Sequence, residues 1–427
     1  MADKTMKVFK FGGASLQNVE NIRRVVAIIK QQNKKDDSLL IVVSAAGKST
    51  TLLENILALW LNHDATASEL FQQNIVRYYE GLLSGYRNGL KPEEAFQKLI
   101  NEAISYLENP APDDENLAYD MLVSYGELLT SLLLVQLLQS EGITIEWEDA
   151  RKLFRTDRNY RDASIDWQQS QANIELLLSK KLKHSLVLTQ GFIASDDLGK
   201  STTLGREGSD YSAAIFASIL DAKSVTVWKD VPGVMTADPS IYPHAVLIDR
   251  LSYRDAIEMT FYGAKIIHPK TLQPLENKQI PLFVKSFLQP EAAGTHVCHL
   301  ESGRKKLAPI CVTKPQQVFF QLSTTDLSFV SEWHLGIIYT HFARHRIKLN
   351  MARVTAVSFD ACFDYTPATF EVMKLALSKS FDIKTIHELD LLTFIEYNAD
   401  AIEAIRQAHE VVLEEKNERV AQLLIRP

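Results

Sequence analysis

Residues 8–30 read VFKFGGASLQNVENIRRVVAIIK. VFKF is a short apolar run of strand character, and the paired glycines Gly12 and Gly13 break it. From Asn18 the apolar residues recur at spacings of three and four, the period of a helix with one buried face. A strand that turns through glycine into an amphipathic helix is the opening unit of a sheet whose strands run parallel. The rest of the first 300 residues repeats this pattern: LLIVVS (39–44), ITIEW (143–147), SLVLTQGF (185–192), SVTVWKD (224–230) and IPLFV (280–284) read as strands, and stretches such as YSAAIFASILD (211–221) as helices. Nearly continuous apolar strands alternating with helices predict an α/β fold, a mainly parallel sheet with helices on both faces.

Residues 50–140 depart from the alternation, because their period is almost entirely helical. They read as a helical excursion packed on the sheet domain, with ENPAPDDEN (108–116) as its exposed loop. The polar segment HLESGRKKLAP (299–309) marks a boundary, which predicts a first domain over 1–305 and a second over 306–427. In the second, VFFQL (318–322), a helix near 329–345, KLNMARVTAVSF (348–359), a helix near 368–380, LLTFIEY (391–397) and a last helix from 399 suit a small α+β sandwich with its helices on one face.

At 427 residues, 46% hydrophobic and 23% charged, the chain has the composition of an ordinary globular protein. Its 53 acidic and 46 basic residues leave a net charge of −7, which offers no extended basic surface to nucleic acid. Cys298, Cys311 and Cys362 lie far apart with no CxxC pair, so neither a disulfide framework nor a zinc ribbon is expected. The N-terminus lacks the apolar core of a secretory signal, and even LLTSLLLVQLL (128–138) is interrupted by Thr, Ser and Gln, so a cytoplasmic protein is expected. No GxGxxG pattern follows the tail, and a fused dehydrogenase domain is not expected.

GKST occurs twice, at 47–50 and 199–202, yet neither copy is a P-loop. That motif needs a glycine five places earlier, where this chain has Val42 and Ala194. Phosphate chemistry is more legible in KFGGAS (10–15), where two glycines let the backbone approach a ligand and a helix N-terminus follows. Lys10 stands beside that N–H cluster. In LGKSTTLGREGSDYSAA (198–214) a hairpin leads to a helix with Ser209 or Asp210 as N-cap, and Arg206 is suited to a carboxylate. WKDVPGVMTADP (228–239) sets Asp230 at the carboxyl end of a strand, and FYGAKIIHPKTL (261–272) sets Lys265 before a helix that starts with proline. Ser44 and Ser49, in VVSAAGKSTT (42–51), offer hydroxyls at the same end of the sheet, and Glu127, near the start of an apolar helix, calls for a cationic partner such as a substrate ammonium. His341 and His345 read as a solvated helix face and not as metal ligands.

Taken together, KFGG (10–13), SAAGKST (44–50), SYGE (124–127), TTLGREGSDYSAA (202–214), KDVPGV (229–234) and YGAKIIHP (262–269) resemble, in order, the motifs of the aspartate kinases of the amino acid kinase fold. The resemblance covers residues 6 to about 300. It implies transfer of the γ-phosphoryl of ATP, with Mg²⁺, to the side-chain carboxylate of L-aspartate, giving 4-phospho-L-aspartate on the way to lysine, threonine and methionine. Lys10 and Asp210 would be catalytic, Arg206 would hold the α-carboxylate and Glu127 the ammonium, and Ser44 and Ser49 would line the aspartate site. Gly12, Gly13, Lys229, Asp230, Met235 and Lys265 would contact the nucleotide. An aspartate side chain, with a pKa of about 3.9, is ionised at pH 7 and needs no catalytic base. The chain departs from the family pattern at Ser49 (often Thr), Glu207 (often Gly), Met235 (often aromatic) and Ser240 (often Arg). The tail resembles ACT regulatory modules, which implies a homodimer or higher oligomer and a possible amino acid effector, lysine or threonine. Two alternatives stay open: a kinase for another small carboxylate, and a catalytically weak amino acid sensor of the same fold.

Overall fold

The computed structural model describes residues 6–33, 38–264, 267–300, 309–326 and 328–427. Lys265 and most of the polar boundary segment lie outside the described residues. By its contacts the chain divides into two compact units, Met1–Val234, Leu247–Ile257 and Ile266–Glu301 in one, and Met235–Val246, Glu258–Lys265 and Ser302–Pro427 in the other.

In the first unit, β1 (Met6–Phe11) pairs in parallel with β2 (Ser38–Val43) on one side and β7 (Ser224–Lys229) on the other. β3 (Ile145–Trp147) and β4 (Leu186–Gln190) extend the sheet beyond β2, and β9 (Leu282–Ser286) extends it beyond β7, all in parallel. These are the six strands read from the sequence. β2, SLLIVV, is buried along its whole length, as a central strand covered on both faces must be. The short strands β8 (Arg250–Ser252) and β10 (Thr295–Cys298) complete the order β3-β4-β2-β1-β7-β9-β10-β8, with β10 antiparallel to β9. β5 (Ile193–Ser195) and β6 (Ser201–Thr203) form a separate hairpin.

The excursion is helical, with Ser49–Leu61, Ala67–Leu70, a π-helical turn at Phe71–Val76, Arg77–Tyr86, Glu94–Glu108 and Glu115–Ser140. Asp114, in the Pro-Asp loop, caps the last of these by accepting hydrogen bonds from the Asn116 and Leu117 N–H groups. The 115–140 helix is long and apolar enough to cross a membrane, yet 89% of its most apolar window is buried inside the protein. Four of its six buried polar residues follow helical spacing, Asp120, Ser124, Glu127 and Ser131, and each of these bonds to a neighbouring segment or to its own backbone.

The second unit is a six-stranded antiparallel sheet in the order β12-β13-β11-β14-β16-β15. It comprises β11 (Ile310–Thr324), β12 (Leu349–Val354), β13 (Ser358–Asp364), β14 (Phe381–Ile395), β15 (Glu410–Lys416) and β16 (Val420–Arg426). Val318, Phe320 and Leu322 alternate along β11 and pack with Ile338 and Phe342 of the Glu332–Arg344 helix and Met373 of the Pro367–Leu377 helix. Phe319, between them, joins a different cluster with Met351, Cys362 and Leu424. The last helix is short, Ala399–Ala408, and the chain then returns as β15 and β16 where the sequence reading let the helix run on. Asn417 makes the return possible: its side-chain oxygen accepts from the Arg419 and Val420 N–H groups, a turn that the polar run EEKNER conceals. His341 and His345 stack with ring centroids 6.3 Å apart.

Candidate active site

Parallel pairing aligns the carboxyl ends of β1, β2 and β7 at one edge of the sheet, the edge where open α/β sheets collect ligands. Lys10 sits opposite Val42 and Val227, one residue short of the end of β1. Beyond it the Gly12–Gly13 turn lies against the loop after β2. The Gly47 N–H donates to the Gly13 carbonyl at 2.9 Å, and a Cβ on Gly13 would stand 2.7 Å from the Ala45 oxygen and 2.9 Å from the Gly47 oxygen. Only glycine permits this approach.

The Gly208–Ile219 helix presents Asp210 to the same edge. Its carboxylate is 2.6 Å from Lys10 Nζ and 3.7 Å from Lys229 Nζ, with 3% of Asp210 and 8% of Lys10 exposed. Burial works to raise this acid, but Lys10 and then Lys229 outweigh it and hold the carboxyl below its ordinary value. The expected cap is corrected here: neither Ser209 nor Asp210 caps the helix. Glu207 takes the N-cap position with φ +55°, and Asp210 falls in the first turn with its carboxylate drawn to the two lysines. Gly208 permits this path, since a Cβ there would meet the Phe192 ring at 2.8 Å.

Glu127 lies midway along the 115–140 helix, not near its start, and is 3% exposed. Its Oε1 accepts from the Ala45 N–H at 3.1 Å, and the next N–H, of Ala46, donates to Thr130 Oγ1 at 2.8 Å. Oε2 is buried with no hydrogen-bond partner. Burial pushes the Glu127 carboxyl up to about 8, against the opposing effects of the Ala45 N–H and Lys10.

A cavity of about 520 Å³ opens among these groups, lined by Lys10, Ser44, Glu127, Arg206, Asp210 and Lys229. Six residues proposed from sequence thus share one hollow. Ser49 is fully buried instead, its hydroxyl donating to the Ala46 carbonyl at 2.6 Å, and Thr50 lines the cavity in its place. Asp230 is exposed on the turn after β7, and Met235 is half-buried in the second unit. Gly12 and Gly13 are not part of the wall, although a Cβ on Gly12 would come within 3.5 Å of Lys10 Nζ.

The sequence did not disclose Glu54, Tyr119, Arg161 and Phe192, which also line the cavity. The Arg161 guanidinium lies 4.1 Å from the centre of the Tyr119 ring, and the Tyr119 hydroxyl donates to Glu54 at 3.0 Å. Beneath them Asp120 is fully buried; burial pushes its carboxyl up to about 6, against hydrogen bonds from Thr203 and Arg161. RTDRNYRDASID (155–166) carries neither periodicity nor motif that would have marked Arg161.

Residues 5–286 match the model of the amino acid kinase family. The chain belongs to that family. Among its amino acid kinase relatives, lysine-sensitive aspartokinase 3 of Escherichia coli is 36% identical over 271 residues, 64% of this chain and 59% of that protein. A bifunctional aspartokinase/homoserine dehydrogenase of Buchnera aphidicola is 29% identical over 356 residues, 81% of this chain and 42% of that protein. The chain therefore spans less than two thirds of either relative. Similar solved structures include Escherichia coli aspartokinase III in complex with lysine and aspartate, with TM-score 0.81 at 28% identity over 99% of this chain and 96% of that one. The same enzyme in complex with aspartate and ADP gives TM-score 0.82 at 28% identity over 98% and 96%. The fold likeness thus extends well past the stretch where the family model matches.

Proposed function

We propose that this amino acid kinase is an aspartate kinase, transferring the γ-phosphoryl of MgATP to the side-chain carboxylate of L-aspartate. One observation carries the reading: Glu127 Oε2 is buried and unpartnered in the wall of a cavity that also holds Lys10, Lys229 and Arg206. A buried carboxyl oxygen without a hydrogen-bond partner is costly, and the ammonium of an amino acid relieves it by pairing with the ionised form. Arg206 then takes the α-carboxylate as a two-pronged donor, which leaves the side-chain carboxylate for the phosphoryl group.

Because that carboxylate is already ionised, the protein has no proton to remove, and its work is to bring two anions together and neutralise charge. Asp210 holds the Lys10 ammonium in the cavity, where Lys10 offsets charge on the transferring phosphoryl. Lys229, the Gly12–Gly13 turn, Asp230, Met235 and Lys265 are assigned to the nucleotide. Mg²⁺ would enter with ATP as part of the substrate and supply positive charge to its phosphate oxygens, and Glu207, whose Oε2 is buried without a hydrogen-bond partner, would be the carboxylate here that could help hold it. Ser44 lines the aspartate site. Ser49, set behind the wall, orders the loop through Ala46.

The second unit is read as an ACT-like regulatory and dimerising region of a cytoplasmic enzyme, and the lysine complex of the Escherichia coli relative supports an amino acid effector. The test is ADP release by purified protein with ATP, Mg²⁺ and L-aspartate, against glutamate, acetylglutamate and carbamate, repeated with lysine and with threonine. Turnover with aspartate that disappears in Lys10→Ala is expected. No aspartate-dependent ADP formation would overturn the assignment and favour an amino acid sensor.

A further inference from the structure

Backbone strain concentrates at the cavity. Ten non-glycine residues among those described have a left-handed φ, and three of them, Arg161 (φ +69°), Phe192 (φ +69°) and Glu207 (φ +55°), line this one hollow. Such conformations are unfavourable for residues with a side chain, and they persist where surrounding structure enforces them. For Arg161 the enforcing group is visible. Its backbone N–H donates to both oxygens of buried Asp120 at 3.1 Å, and the same carboxylate accepts from the Thr203 N–H at 2.8 Å and the Thr203 hydroxyl at 2.7 Å.

Asp120 thereby ties the Arg161 loop to β6, whose last residue lies three positions before Arg206. The two loops meet directly: a Cβ on Gly205 would stand 2.6 Å from Asp162 Oδ1 and 3.3 Å from the Arg161 carbonyl. The side chain is positioned as well, with its guanidinium over the Tyr119 ring and that ring's hydroxyl fixed on Glu54. A buried carboxylate, a left-handed backbone and an aromatic platform all converge on placing one guanidinium at the cavity wall. Lys10 and Lys229 are already engaged with Asp210, so the wall's two guanidiniums are what it offers to an incoming acid.

We propose that Arg161 is a second substrate-recognising guanidinium, a specificity-determining residue that works with Arg206 to select an amino acid carrying two carboxylates. The inference rests on the proposed aspartate kinase reading and assigns within it a contact that the sequence motifs do not include. A planar, permanently charged fork of donors is matched to a carboxylate, and two such forks favour a dicarboxylic amino acid over a monocarboxylic one.

The decisive variant is Arg161→Gly. Glycine adopts φ +69° freely, so this change deletes the side chain while easing the backbone. Expected are a KM for aspartate raised fivefold or more, kcat and the KM for ATP within twofold of the parent, and an unfolding temperature that does not fall. Arg161→Lys, which keeps charge but loses the fork, should recover less than half of the lost affinity. An unchanged aspartate KM in Arg161→Gly overturns the proposal, as does a loss confined to kcat. Calorimetric titration of parent and variant with aspartate and with glutamate, without nucleotide, separates the two readings. If the parent turns over no aspartate but binds it, and Arg161→Gly weakens that binding, the kinase assignment fails and the role of Arg161 stands. If neither amino acid binds the parent, both fail.

Discussion

Aspartate binding should expel close to one proton near pH 7, and Glu127→Gln should abolish that release. In the empty cavity burial pushes Glu127 up to about 8, so at pH 7 roughly nine in ten molecules carry it protonated. A substrate ammonium at the unpartnered Oε2 favours the ionised form and draws the pKa below neutrality. Binding at pH 7 must therefore drive off the proton, which weakens affinity about tenfold per pH unit below 8, on the order of 1 kcal/mol each. Aspartate affinity should climb between pH 6 and pH 8 and level off above. In Glu127→Gln the slope should vanish, and at pH 8 affinity should fall about ten- to a hundredfold with loss of a charge-assisted hydrogen bond. Stability of the empty protein moves the other way. Its Glu127 pKa is raised above the ordinary 4.5, so the folded state binds more protons than the unfolded one between those values, and stability declines as pH rises from about 4.5 to about 8. Calorimetry at pH 7 in two buffers of different ionisation enthalpy measures the proton count directly. Tight binding with no proton released, or equal release from Glu127→Gln, would refute the reasoning.

Two further outcomes are expected. Gly13→Ala places a Cβ between two backbone oxygens at 2.7 and 2.9 Å, neither of which can swing aside as a side chain would, so stability should drop by about 1–3 kcal/mol in urea titrations and initial rates should fall at least tenfold. Phe320→Ala empties the centre of the second unit's helix-facing core, where the ring is fully buried against Phe363 and Phe370, and should cost about 3–5 kcal/mol in denaturant unfolding.

The six parallel strands were legible because each is an apolar run with a turn signal behind it, and β2 needs nothing but apolar residues to sit at the centre. β8 and β10 were not, being three and four residues long, with β10 dependent on β9 for pairing and β8 on β10. β15 and β16 were hidden because EEKNER is as polar as an exposed helical face, and only the Asn417 hydrogen bonds reveal the turn. At the cavity, Lys10, Ser44, Glu127, Arg206, Asp210 and Lys229 were readable because each stands in a compact local pattern beside glycine or at a strand end. Tyr119, Asp120 and Arg161 come together across 41 positions of sequence, through a buried carboxylate that accepts mostly from backbone N–H groups, which leave no trace in residue types. Capping failed as a guide at Asp210 for a related reason, since two lysines from distant strands outbid the local N–H groups.

The polar stripe of the 115–140 helix has a geometric corollary. Asp120, which anchors the Arg161 backbone, and Glu127, to which the proposed function gives the substrate ammonium, are seven residues apart on one rod, two turns or roughly 10 Å along its axis. Loops can relax to admit a longer molecule, whereas a helix held by packing along nearly its whole circumference changes length only by breaking its own ladder. On the proposed reading, the gauge of molecular length is set on a buried helix, and an amino acid one methylene longer would have to fold to fit, because that yardstick does not stretch.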